Sequence, residues 1–343
     1  MSESYLRHAL NGAVLDQEQA RSVFEQMSRG ELSDIEIAAF LGALHARGEQ
    51  PSEIAGAAEA FRQAAQSFST DATGIIDVVG TGGDGVGTIN VSTASAFVAA
   101  SMGLKVAKHG NRAVSSKAGA ADLIEAAGIP LDLSPASSAQ LLERTGFCFL
   151  FAQKYHPAMR FVAPVRAALK NPTIFNLIGP LVNPAHLSYQ VLGVGKRELL
   201  DDVAQALASL GLEHALVVHG SGTDEFAVHG QTEVREITRE GVSSFTYTPE
   251  ELGITPAPLS DLIGGDASDN LRLITDIFNG SGVPAQRDAI AATTGAMLYL
   301  AGKAPSLSEG TAAALAQLAS GAVAEHLKTI ASTARELKTQ EQQ

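Results

Sequence analysis

The run Gly80-Thr81-Gly82-Gly83-Asp84-Gly85-Val86-Gly87-Thr88, followed by Asn90-Val91-Ser92-Thr93, places glycines and hydroxyls where a chain can wrap an anion. Glycine lets backbone N–H groups approach a ligand closely and reach positive φ. The hydroxyls and the start of a following helix add donors and a partial positive charge. Together these residues describe a phosphate cradle, suited to a doubly phosphorylated sugar. Further on, Lys108-His109-Gly110-Asn111-Arg112-Ala113-Val114-Ser115-Ser116-Lys117 brings cations, an amide and paired hydroxyls that suit phosphate and sugar oxygens. A third segment, His219-Gly220-Ser221-Gly222-Thr223-Asp224-Glu225, ends in adjacent carboxylates. Beside bound phosphate such a pair suits Mg²⁺, which takes oxygen ligands and sits between protein carboxylate and substrate.

Each segment also has a plainer reading. Gly80-Thr81-Gly82-Gly83-Asp84-Gly85 satisfies G-x-G-x-x-G after a strand, the pattern of a dinucleotide site. That site calls for an acid further along to hold a ribose hydroxyl, whereas the next strand ends in Lys108-His109. The P-loop pattern fails, because no Lys-Ser or Lys-Thr follows the glycines. An ordinary glycine-rich turn, a solvated basic loop and a solvated Asp-Glu turn are the remaining alternatives. Gly220-Ser221-Gly222 lacks the spacing of a nucleophile elbow. Arg160 and Arg166, in Tyr155-His156-Pro157-Ala158-Met159-Arg160 and Pro164-Val165-Arg166, are each a surface cation or a carboxylate clamp, and spacing does not choose between them. Asn176-Leu177-Ile178-Gly179-Pro180-Leu181-Val182-Asn183-Pro184 reads as a rigid connector. No His-Glu-x-x-His or zinc spacing occurs, and His109 and His156 are the histidines singled out, in the second polar loop and the Tyr155–Arg160 segment.

Certain elements must position these residues. Short apolar runs at 75–79, 105–108, 147–151, 189–194 and 215–219 alternate with helical stretches at 92–101, 119–127, 136–144 and 196–210. That alternation predicts a mostly parallel sheet with ligands at the carboxyl ends of its strands. Residues 233–238 and 242–248 read as a hairpin turning at Gly241. The first seventy residues read as helices, with capping boxes at Asp16/Gln19 and Ser33/Glu36, a stop at Gly48 and a new start at Pro51. The expected fold class is α/β: a small helical domain, residues 1–70 with a returning segment about 156–180, plus a large α/β domain over 71–343.

At 343 residues the chain has room for a large core. A net charge of −13 argues against a nucleic-acid or acidic-membrane partner. Cys148 is the single cysteine, so neither an intrachain disulfide nor a thiolate metal cluster forms, and it reads as a buried strand thiol. The N-terminus carries no secretory pattern and no apolar run is long enough to span a bilayer; a cytoplasmic setting is expected.

Gly80-Thr81-Gly82-Gly83-Asp84, Asn90-Val91-Ser92-Thr93, Lys108-His109-Gly110-Asn111-Arg112, His156-Pro157, Pro164-Val165-Arg166, Phe175-Asn176-Leu177-Ile178-Gly179-Pro180-Leu181 and Asp224-Glu225 resemble, in order along the chain, the anthranilate phosphoribosyltransferase family. The resemblance implies the nucleoside phosphorylase/phosphoribosyltransferase-type fold and a homodimer through the helical domains. It also implies phosphoribosyl transfer from 5-phosphoribosyl 1-pyrophosphate (PRPP) to anthranilate, in tryptophan biosynthesis. Carried onto matching positions, Gly80, Gly83, Asp84, Thr88, Asn90, Val91, Ser92, Thr93, Lys108, His109, Gly110, Asn111, Arg112, Ala113, Val114, Ser115 and Ser116 would hold PRPP. Gly80, Asn111 and Arg166 would meet anthranilate, and Ser92, Asp224 and Glu225 would bind Mg²⁺, two ions with PRPP. Ala118 and Ala120 depart from a pattern that often has serine, which removes a hydroxyl contact. A nucleoside phosphorylase of the same fold and a non-enzymatic nucleic-acid-binding relative are the other readings. The first would act on thymidine or uridine with phosphate; the second predicts a basic surface.

Overall fold

A computed structural model describes residues 2–113 and 117–343. Val114, Ser115 and Ser116 of the second polar loop lie outside the described residues. The chain divides into two compact units, one comprising 1–67, 152–184 and 201–211, the other 68–151, 185–200 and 212–343. Residues 201–211, within a stretch that the alternation pattern places in the α/β region, group with the helical unit.

The helical unit begins with helices whose ends follow local chemistry. Asp16 and Ser33 each accept the backbone N–H three residues on, and Gln19 and Glu36 return the bond, so both capping boxes form. Gly48 ends Asp34–Arg47 at φ 91°, and Pro51 opens Pro51–Gln63. The core is aromatic. Phe24 meets Phe40 edge-on at 5.3 Å, and Phe175 packs edge-on against Phe61 at 5.0 Å and Phe24 at 6.1 Å. Arg62 donates to the Leu181 carbonyl at 2.6 Å. The segment read as a rigid connector, around Phe175–Leu181, is thus core of this unit.

The second unit is built on a seven-stranded sheet, β1 (Ile75–Gly80), β2 (Lys105–Gly110), β3 (Phe147–Phe151), β4 (Tyr189–Gly193), β5 (His214–Gly220), β6 (Thr232–Thr238) and β7 (Gly241–Tyr247). Its order is β3-β2-β1-β4-β5-β6-β7. The first five strands run parallel and the last two form an antiparallel hairpin. The inner strands are mostly apolar because helices cover both faces, with Asp77, Lys108, His109 and Gln190 among the buried polar exceptions. Helix Val91–Ser101 is buried almost along its length, with Phe97 against Phe147 at 4.8 Å, and Pro284–Leu300 is buried likewise. Cys148 is fully buried on β3 and burial raises its thiol pKa, as a structural thiol requires. Between β1 and β4 the strand order reverses direction of travel, which opens a crevice at their carboxyl ends. Among the described residues no helix is long and apolar enough to cross a membrane.

Candidate active site

The crevice is lined by main chain before it is lined by side chains. Beyond β1, Gly82 and Gly83 take φ of 65° and 80°, which L side chains rarely adopt. The turn is pinned to β4: Thr81 N–H donates to Gly193 O at 2.9 Å, and Gly195 N–H donates to Thr81 Oγ1 at 3.1 Å. Asp224 lies between the strands. Its Oδ2 accepts from Gly82 N–H at 2.7 Å. A Cβ on Gly80 would strike this carboxylate, and one on Gly193 would strike the Asp224 carbonyl. Two glycines, distant in sequence, therefore make room for one acid.

Charge is concentrated here. Glu225, half-buried beside Asp224, has its carboxyl pKa raised by burial first and then by Asp224. Asp224 is raised by burial and by Asp84. Lys108, 1 % exposed on β2, donates to Val78 O at 2.6 Å and to Ser92 Oγ at 3.3 Å. Burial lowers its pKa, while Asp77, Glu225 and Asp224 oppose that shift. Lys108 thus faces Asp77, Glu225 and Asp224 at once, while Asp84 adds negative charge beside the Asp224–Glu225 pair. The Ser92 backbone N–H, on the first turn of Val91–Ser101, acts on Glu225 in the opposite sense and lowers its pKa. Thr93 Oγ1, on the same first turn, is buried with no hydrogen-bond partner among the described residues.

This donor set fits Mg²⁺ of a particular kind. Among the described residues no three His, Cys, Asp or Glu side chains are placed to hold a metal alone. Two desolvated carboxylates held above their ordinary pKa would supply part of a coordination shell. Substrate phosphate and water complete such a shell.

Other positions singled out in the sequence divide between the crevice and its supports. Asp84 Oδ1 accepts from Val86 N–H at 3.0 Å, which closes the glycine turn. Thr88 bridges to Ile263. Val91 is fully buried, and its N–H returns to Ile89 O at 2.7 Å. The His109 N–H donates to Asp77 Oδ1 at 3.3 Å, with both residues buried in the sheet. Gly110 packs where a Cβ would press on Ala120 and Phe149. Asn111 Oδ1 accepts from Arg112 N–H at 2.8 Å. The Arg112 guanidinium pairs with Asp122 at 2.9 Å and Glu125 at 2.8 Å. Asp122 Oδ2 accepts from both Ala113 N–H at 3.0 Å and Gly119 N–H at 2.9 Å, closing the neck of the second loop. Ala118, where a serine contact was expected to be lost, presents its carbonyl to Asn90 Nδ2 at 3.2 Å.

In the helical unit the two arginines separate. Arg160 is exposed and stacks over Phe161 at 4.6 Å. Arg166 is half-buried over Phe175 at 5.3 Å, burial alone lowers its pKa, and no carboxylate pairs with it among the described residues. It is a desolvated cation lacking an anion. His156 is buried, its pKa pushed down to about 4 by desolvation, against the carbonyls of Phe61 and Val182.

Sequence reasoning missed Thr81, Gly193, Gly195, Asp122, His219 and Asn270. His219 Nδ1 lies 2.7 Å from Val194 O, and its Nε2 accepts from Gly222 N–H at 3.1 Å, so it braces the loop before Asp224. A signal for two of them was present: Gly193-Val194-Gly195 closes a parallel strand, as Gly80-Thr81-Gly82 does.

Comparison with known proteins agrees with this geometry. Residues 72–324 match the family model described as glycosyl transferase family, a/b domain, and 3–65 match its helical bundle domain. An anthranilate phosphoribosyltransferase of Idiomarina loihiensis is 47% identical over 325 residues, 95% of this chain and 96% of that one. The crystal structure of anthranilate phosphoribosyltransferase from Thermus thermophilus superposes with a TM-score of 0.92 at 46% identity, covering 96% of this chain and 99% of that one. The Saccharomyces cerevisiae enzyme in complex with PRPP and Mg gives 0.88 at 28% identity, covering 98% of each. With identity this high over nearly its full length, and with both domain models matched in order, the chain belongs to the anthranilate phosphoribosyltransferase family.

Proposed function

We propose that the chain transfers the 5-phosphoribosyl group of PRPP to the amine of anthranilate, giving N-(5-phosphoribosyl)anthranilate and pyrophosphate in tryptophan biosynthesis. One observation carries this reading. The glycine turn, Lys108 and the Asp224–Glu225 pair converge at the carboxyl ends of β1, β4 and β5, with the carboxyl groups held above their ordinary pKa. A triphosphorylated sugar bearing Mg²⁺ supplies both the anion that the amides want and the cation that the carboxylates want.

The PRPP site comprises Gly80, Gly83, Asp84, Thr88, Asn90, Val91, Ser92, Thr93, Lys108 and the second loop from His109 through Ser116. Several of these act through main chain or as supports: the Arg112 guanidinium engages Asp122 and Glu125. Arg166 takes the anthranilate carboxylate, with Gly80 and Asn111 also meeting that substrate. Ser92, Asp224 and Glu225 would hold Mg²⁺, two ions in this reading, which would supply charge neutralisation of the leaving group. The bond from C1 to pyrophosphate oxygen breaks as the amine nitrogen bonds to C1 from the other face, and the amine proton leaves to water. Lys108 and the loop amides stabilise charge that grows on the departing oxygen, and Arg166 orients the acceptor. No side-chain nucleophile is required.

The chain is proposed to work as a homodimer through its helical unit, in the cytoplasm. Leu10, Val14 and Ile35 of that unit are exposed, Ile35 by 81%. No described feature favours a nucleoside phosphorylase or a nucleic-acid-binding protein. The deciding experiment follows anthranilate fluorescence on addition of PRPP with and without Mg²⁺. Emission lost only when both are present supports the reading; unchanged emission overturns it.

A further inference from the structure

Helix Val91–Ser101 begins at Asn90, yet the Asn90 side chain makes no capping bond. An asparagine at that position ordinarily accepts the N–H of the second or third helical residue. The second is Ser92 and the third Thr93, and neither N–H goes to the Asn90 side chain. Something holds Asn90 aside. Asn270, on helix Ala267–Phe278 and 2 % exposed, donates from Nδ2 to Asn90 Oδ1 at 2.8 Å. Asn90 Nδ2 donates onward to Ala118 O at 3.2 Å, and Asn270 Oδ1 accepts from Gly265 N–H at 2.8 Å. The relay starts at a backbone N–H and ends at a backbone carbonyl, so the orientation of both amides is dictated by partners whose roles are unambiguous. The segment carrying Asn270 is tied to the same loop by Ile89 N–H to Leu262 O at 2.9 Å and Gly264 N–H to Gly87 O at 3.0 Å.

We propose that Asn270 is a positioning residue of the sugar-donor site: it holds Asn90 out of the helix cap and, through the Asn90–Ala118 bond, ties the glycine turn to the second loop. The proposal rests on the reading of residues 80–93 as the PRPP site. It predicts that Asn270→Ala raises the KM for PRPP about tenfold, the scale of one hydrogen bond with its partner left unpaired. The KM for anthranilate stays within error. Asn270→Asp retains the acceptor for Gly265 and removes the donor to Asn90, so it gives the same rise; it also replaces the alanine variant if that one does not fold. In an Asn90→Ala background, Asn270→Ala adds nothing, because its effect passes through Asn90. An equal rise in both backgrounds, a parallel rise for anthranilate, or no rise at all overturns the assignment. Wild-type turnover judges the reading of function separately. If wild type fails to turn over, the same four-protein cycle, read as the Kd of magnesium pyrophosphate by calorimetry, still decides the role of Asn270: coupling supports it and additivity overturns it.

Discussion

Glu53 in the helical unit and the Asp224–Glu225 pair in the α/β unit are both carboxylates withdrawn from water, and they are treated in opposite ways. Glu53 is fully buried and fully answered: Arg47 pairs with it, Leu15 N–H donates to Oε1 at 3.1 Å and Gln50 N–H to Oε2 at 3.1 Å. Asp224 and Glu225 stand beside a third acid, Asp84, with Lys108 offsetting them and itself bonded to a backbone carbonyl. A charge that serves the fold is neutralised within the fold. A charge that serves a ligand is left short, and its raised pKa records the deficit.

That contrast can be broken by experiment, most decisively at the pair. Asp224→Asn with Glu225→Gln is expected to lower turnover by about a thousandfold or more at limiting Mg²⁺, the scale of losing electrostatic stabilisation of a leaving group. It leaves stability unchanged or improved, since it removes uncompensated charge. A wild-type response to Mg²⁺ would remove both carboxylates from the metal site.

Glu53→Ala tests the other side. It strands Arg47 and two backbone N–H groups, so about 3–5 kcal/mol of stability should be lost in chemical denaturation. An unaltered midpoint would show that Glu53 is not a structural keystone of the helical unit.

The same contrast predicts opposite pH slopes. His156 is lowered to about 4 in the fold, so its contribution is present above its unfolded value near 6.5 and is lost as pH falls toward 4. That contribution is of order 3 kcal/mol. For Asp224 and Glu225 the folded pKa lies above the unfolded one, so the folded state binds more protons and stability falls as pH rises from about 4 through the folded values. Unfolding of metal-free protein across this range, with His156→Gln and Asp224→Asn as probes, separates the two. His156→Gln flattens the rise in stability between about pH 4 and 6.5, and Asp224→Asn flattens the opposing fall that runs from about pH 4 to about 6. If neither variant changes its slope, the assignments of charge fail.

Arg166→Ala carries the smallest expected effect, a loss of about 1.5–3 kcal/mol in kcat/KM for anthranilate, with the KM for PRPP unmoved. A shift in PRPP alone would reassign the arginine.

How much of this was legible beforehand varies by element. Helix caps at Asp16 and Ser33, the stop at Gly48 and the start at Pro51 are local: the residues that satisfy one another are three or four apart, so the pattern is complete in a short window. The glycine turn after β1 and the alternation of apolar runs with helices were readable for the same reason. Strand ends shifted by a residue or two, as at β5, where His214 and Gly220 extend the expected run, because pairing with β4 and β6 continues past the apolar stretch. Residues 196–210 divided into a 3₁₀ turn at Arg197–Leu199 and helix Leu200–Ser209.

The sequence by itself determined the kind of chemistry: glycines before a helix, a lysine and hydroxyl loop after the next strand, and paired carboxylates after another. Only the tertiary structure decided which partners those groups have. A lone asparagine such as Asn270, or one arginine of two, looks the same in any window of sequence. Each acquires its role from its surroundings in the fold, Asn90 for Asn270, 180 residues away in sequence, and burial over Phe175 for Arg166; Gly193 likewise meets Asp224 only in the assembled sheet. Desolvation and close approach are properties of assembled space, and residue order carries them only through the fold it produces.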